Sequence, residues 1–99
     1  MAMECVVDTA TLRRQASEYV SRASAGETIL VLRRGKPAAI LRPPVPGERA
    51  NRLAVSTFRR TLRTALRTAR SRPVLLTWWG GEAAVIAPVP AEIAEEWDV

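Results

Sequence analysis

Two arginine pairs stand at matched places in this 99-residue chain. Thr11-Leu12-Arg13-Arg14 returns, 46 residues on, as Thr57-Phe58-Arg59-Arg60. A guanidinium presents a planar fork of donors that fits a phosphate, or the edge of guanine, with two hydrogen bonds at once. A lone exposed arginine is usually a solvated charge, but two copies of Arg-Arg at one position favour contact with a polyanion. Arg33, Arg34 and Lys36 add a second cluster around Gly35, either to touch phosphates or to keep a turn soluble. Arg59, Arg63, Arg67 and Arg70, at spacings of four and three, share one face of a helix. Such neighbours repel by roughly 0.2–0.5 kcal/mol per pair, which an anion alongside would relieve. A DNA backbone, a partner's acidic segment or the chain's own Glu92–Asp98 would each serve.

Other chemistries lack their residues. With no histidine, the single Cys5 has no partner for a nucleophilic pair, and no Cys/His cluster has metal-ligand spacing. Gly80-Gly81 lacks the lysine of a phosphate loop and reads as a hairpin turn. Glu95-Glu96 are adjacent but sit in a tail without a pocket. The composition therefore points away from an enzyme and implies no cofactor and no metal. No apolar run approaches the ~20 residues that span a bilayer, so no membrane partner is expected. The start of the chain lacks a secretory pattern, and one cysteine excludes an internal disulfide; both suggest a reducing cytoplasm.

Charge is unevenly laid out. Residues 51–72 carry seven arginines and no acid, whereas residues 73–99 carry five acids and no base. Either the basic stretch meets a polyanion and the tail a basic partner, or the tail screens the arginines of its own chain.

The elements that must position these groups also come twice. Leu12, Ala16, Tyr19, Val20 and Ala23 form one helical stripe, with Asp8 or Thr9 as cap and Gly26 as stop. Phe58, Leu62, Ala65, Leu66 and Ala69 repeat it at the same offset, with Ser56 as a possible cap and Pro73 closing the helix. A hairpin follows each helix: Thr28–Leu32 with Pro37–Leu41, then Val74–Thr77 with Ala83–Ile86. The hairpins are 45 residues apart, so one residue is lost near Gly26. The alternative is that an arginine-rich helix and a second hairpin follow by coincidence. Val6-Val7 is short enough to be only an edge strand. The predicted fold is α+β: tandem β-α-β-β units, 1–43 and 53–90, joined by a Pro-rich linker, 44–52, and ending in an acidic tail, 91–99. A unit of about 45 residues is near the lower limit for folding alone. Each therefore needs a partner surface, supplied within the chain as a pseudo-dimer or by a second chain as a homodimer. Of Trp78 and Trp79, one is expected to pack on the helix and the other to need a cover. In the tail, Ile93 and Trp97 are four apart and would share a helical face against a partner, or against the chain's own domain.

The stretch Val7-Asp8-Thr9-Ala10-Thr11-Leu12-Arg13-Arg14-Gln15-Ala16, on through Ala25-Gly26-Glu27-Thr28 and Arg33-Arg34-Gly35-Lys36-Pro37 to Leu41, resembles the N-terminal domain of Phd/YefM antitoxins. The resemblance covers about 35 residues, and Thr77–Ala83 is similar to the hairpin of the YefM branch. It implies a β-α-β-β unit that dimerises on operator DNA, followed in the family by a segment that neutralises a toxin. The implied DNA contacts begin at Arg13 and pass by the repeat to Arg59, with Arg14, Arg60, Arg33, Arg34 and Lys36 beside them. The implied toxin contacts are Ile93, Glu95, Glu96 and Trp97. Where the family continues into its tail, this chain places a diverged second copy. The expected function is a type II antitoxin: an autorepressor bound to operator DNA that neutralises a cognate protein toxin. The alternatives are a toxin-binding protein without DNA binding and a stand-alone regulator without a toxin.

Overall fold

A computed structural model describes residues 5–97. The first half runs β1 (Cys5–Asp8), α1 (Thr9–Arg14), α2 (Ala16–Ser24), β2 (Ile29–Arg33) and β3 (Lys36–Arg42). The second runs β4 (Asn51–Ala54), α3 (Val55–Arg60), α4 (Leu62–Ala69), β5 (Val74–Trp78) and β6 (Gly81–Ala87), and α5 (Ala91–Trp97) closes the described chain. All six strands form one mixed sheet in the order β1-β2-β3-β6-β5-β4.

The order reads the same from either edge once β1 is matched with β4, β2 with β5 and β3 with β6. Registers repeat as well. Cys5 pairs with Ile29 and Asn51 with Val74 in the parallel edge pairs; Ile29 pairs with Leu41 and Val74 with Ile86 in the hairpins. Each hairpin shifts register at the same place, after Val31 and after Leu76. The halves join where β3 meets β6 through Ile40–Ala87, Leu41–Ile86 and Arg42–Val85. Leu41 and Ile86 are repeat-equivalent, so a pseudo-two-fold axis passes through their pair. The two units thus pair within the chain. Strand β4 begins at Asn51, inside the stretch expected to be linker, and forms the second edge.

Side chains alternate across the strands. Val7, Ile29, Val31, Leu41, Val74, Leu76 and Ile86 face α1–α4 and form the main core. Every apolar position of the two stripes is buried except Tyr19, which packs at its margin. Leu30, Ile40, Leu75, Val85 and Ala87 face the other way, where Ile93 of α5, Ala50 and Val89 cover them. The acidic tail is therefore a helix docked on the sheet, not a free segment.

Each expected single helix is bent, at Gln15 (φ −122°, ψ 35°) and at Thr61 (φ −116°, ψ 38°). The Thr61 hydroxyl donates to the Thr57 carbonyl at 2.7 Å, a local bond that competes with helix geometry. Gln15 bends equally without a hydroxyl, so packing sets the bend; it keeps Leu12 and Ala16, or Phe58 and Leu62, both against the sheet. Asp8 caps α1 through a 2.7 Å bond from the Thr11 N–H, and this bond holds its carboxyl below the usual range. In the second half, the residue at the cap position is Ala54, which offers no side-chain acceptor; Ser56, the expected cap, lies inside α3. Gly26, at φ 118°, ends α2 in a Schellman turn, with Gly26 N–H on the Ala23 carbonyl and Glu27 N–H on that of Arg22.

Candidate nucleic-acid interface

Both hairpins turn on two residues with positive φ: Arg34 (54°) with Gly35 (78°), and Trp79 (46°) with Gly80 (78°). Two consecutive left-handed residues make a type I′ turn, the form whose twist suits a tight hairpin. Glycine takes the second corner without cost, whereas Arg34 and Trp79 hold a conformation that side chains disfavour.

The first tip meets α4 of the opposite half. Arg33, Arg34 and Lys36 converge with Arg67 and Arg70 around a groove of about 390 Å³, floored by Pro37, Ala38 and Leu66. A neighbouring groove of about 200 Å³ brings Arg13 of α1 and Arg63 of α4 to the same two hairpin arginines. Seven bases thus surround two adjoining hollows that contain no acid. The ion pairs of Arg22 with Glu27, at 2.6 Å, and of Arg42 with Glu48, at 2.5 Å, lie elsewhere. The groove cations repel one another and offer their donors to solvent or to an anion.

The predicted DNA residues divide. Arg13, Arg33, Arg34 and Lys36 come together at the grooves. Arg14 stands aside, its Nη2 3.5 Å from the Thr11 hydroxyl, and Arg59 and Arg60 are exposed on α3 without lining either groove. Arg13 and Arg14 close the last turn of the six-residue α1, so they do not flank its positive end. Arg63, Arg67 and Arg70 were legible as an arginine face of a helix, but nothing local in the sequence tells that this face meets the other half's hairpin.

The tail residues also divide. Ile93 is 8% exposed and packs against the second sheet face, so its side chain serves the fold. Glu95 and Glu96 are exposed on α5, and Trp97 is 40% exposed. Helix α5 and the grooves occupy opposite faces of the sheet.

The second face carries one built ion pair. Arg42 grips Glu48 through its two terminal guanidinium nitrogens, at 3.0 and 2.5 Å, and its Nη1 also donates to the Pro43 carbonyl. Glu48 in turn accepts from the Val45 N–H, so the pair folds the linker onto the sheet. Its partner Arg42 holds the Glu48 carboxyl below the usual range.

Among the described residues no group of His, Cys, Asp and Glu forms a metal site, and no helix is long and apolar enough to cross a membrane. Compared with protein-family models, curated proteins and solved structures, the chain matches none.

Proposed function

We propose that this protein is a DNA-binding autorepressor of the type II antitoxin class, with operator DNA held at the first hairpin and the helices beside it. The observation that carries the proposal is the convergence of Arg13, Arg33, Arg34, Lys36, Arg63, Arg67 and Arg70 on two adjoining grooves without a single acid. Cations drawn from both halves, with no internal counter-charge, match a phosphate backbone that runs past several of them at once. The resemblance of residues 7–41 to Phd/YefM antitoxins supplies the operator and the toxin. For the toxin, the surface on offer is the exposed part of α5, with Glu95, Glu96 and Trp97. The protein then acts by occupying its own promoter.

A titration of the whole chain against a duplex from the promoter upstream of its own reading frame tests this. Affinity is expected to fall by about 0.9 log unit per log unit of salt for each phosphate neutralised. Binding that ignores salt overturns the proposal. Arg13→Ala with its fold retained is expected to weaken binding, and unchanged affinity would remove that residue from the interface. Trp97→Ala is expected to weaken co-purification with the product of the adjacent frame while leaving DNA affinity alone.

A further inference from the structure

The two hairpin tips differ in chemistry but are related in space. Since β3 and β6 overlap only through Ile40–Arg42 and Val85–Ala87, the hairpins leave the pseudo-axis in opposite directions. From Lys36 along β3 to Arg42, then from Val85 along β6 to Gly81, the path is about ten strand steps, or about 33 Å. That nearly fills the longest dimension of the molecule, 40 Å. Successive equivalent grooves on one side of B-DNA are about 34 Å apart. A duplex engaged by one tip therefore presents the same groove to the other.

At the corner held by Arg34, the second tip carries Trp79, whose side chain is 100% exposed. An aromatic residue kept in a left-handed corner, wholly in water, gains nothing from the fold. Its chain neighbours are Gly80, Gly81 and Glu82, all exposed, and Trp78 is turned inward against the main core. Trp79 thus lacks the apolar rim that surrounds the anchor of a protein–protein contact. A single bare indole at the end of a thin ribbon has the shape of a wedge for nucleobases.

We infer that Trp79 is a base-contacting wedge: while Arg34 and its neighbours hold phosphates, the indole enters the equivalent groove one helical turn away and stacks against bases. The partner is duplex DNA, so this inference rests on the DNA-binding reading above. It adds that the two half-sites are read by unlike chemistry, and that the recognised sequence is asymmetric.

The test uses the whole chain and a duplex of about 30 base pairs from the same promoter, long enough for two successive grooves. Trp79→Ala is expected to weaken binding about ten-fold or more with the salt slope unchanged, because a stacked base is lost and no phosphate contact. Trp79→Phe is expected to keep most of the affinity. Trp79→Asn, which suits the left-handed corner better than tryptophan, is expected to fold at least as well and still to lose affinity, separating contact from turn stability. Footprints are expected to fade at one half-site for Trp79→Ala and at the other for Arg34→Ala. Wild-type affinity in Trp79→Ala, or a loss of self-association in place of DNA affinity, overturns the wedge and leaves the DNA reading standing. A wild-type chain that fails to bind the duplex overturns both.

Discussion

At one end of the sheet a guanidinium, Arg34, holds the left-handed corner of a tight turn, and α4 lends it Arg63, Arg67 and Arg70. At the other end Trp79 holds the same corner. The α2 residues equivalent to those three arginines are Ser17, Ser21 and Ser24. Backbone torsions, register and bulge position coincide between the ends, while the side chains that meet solvent do not. Positions that face the core are fixed in character by burial, whereas the exposed corners Arg34 and Trp79 carry no such constraint.

The comparison breaks most sharply in the core. Phe58 and Leu12 occupy equivalent positions and both are fully buried. Phe58→Ala is expected to cost about 3–5 kcal/mol in a denaturant melt, and Leu12→Ala about 2–5 kcal/mol. A much smaller cost for either would show that its half is not part of one cooperative core. Next in size is charge. Replacing Arg34, Arg67 and Arg70 together by alanine is expected to flatten the salt dependence of DNA affinity by up to about three phosphate contacts. The reverse substitutions, Ser17→Arg, Ser21→Arg and Ser24→Arg, are expected to steepen it by giving the second end the charge of the first.

A third difference lies at the β3–β6 seam. Arg42 is paired with Glu48, while its equivalent, Ala87, is buried and apolar. Glu48→Ala is expected to lower stability by about 1 kcal/mol, since the pair is bidentate but only partly shielded from water. The folded-state carboxyl titrates below its ordinary value of 4.5, so the contribution is full above that value. It is lost as pH falls through the lowered folded-state value. Wild type and Glu48→Ala are therefore expected to converge in stability under acid, and a gap that persists there would sink the assignment. The smallest effect concerns the helix caps. Ala54 has the extended backbone of a cap (φ −64°, ψ 144°) but no acceptor, so Ala54→Ser is expected to add about 0.5–1 kcal/mol. Asp8→Ala is expected to lower the melting temperature at neutral pH, by removing the acceptor for the Thr11 N–H.

Much of the frame was legible because local chemistry dictates it. The stripes from Leu12 and from Phe58 mark buried helical faces, and Gly35 and Gly80 mark turns that need positive φ. The bends at Gln15 and Thr61 were not legible, since neither residue breaks a helix by itself and the cause is the sheet beneath. Strand β4 opens with Asn51 and Arg52, polar residues that an edge tolerates but that no strand pattern announces. The docking of Ile93 depends on Leu30 and Ile40, from strands of the other half, as well as on Val85 of the strand just before it. The basic grooves fall between these cases: their arginines stand out by spacing, yet Arg33 and Arg67 line one groove from opposite halves, a juxtaposition that only the sheet order creates.

The Leu41–Ile86 pair, lying on the axis inside a single polypeptide, has a consequence for heredity. In an assembly of two identical subunits every codon change is written twice, once at each end. Here it is written once, so one end can change its surface chemistry while the other stays as it was.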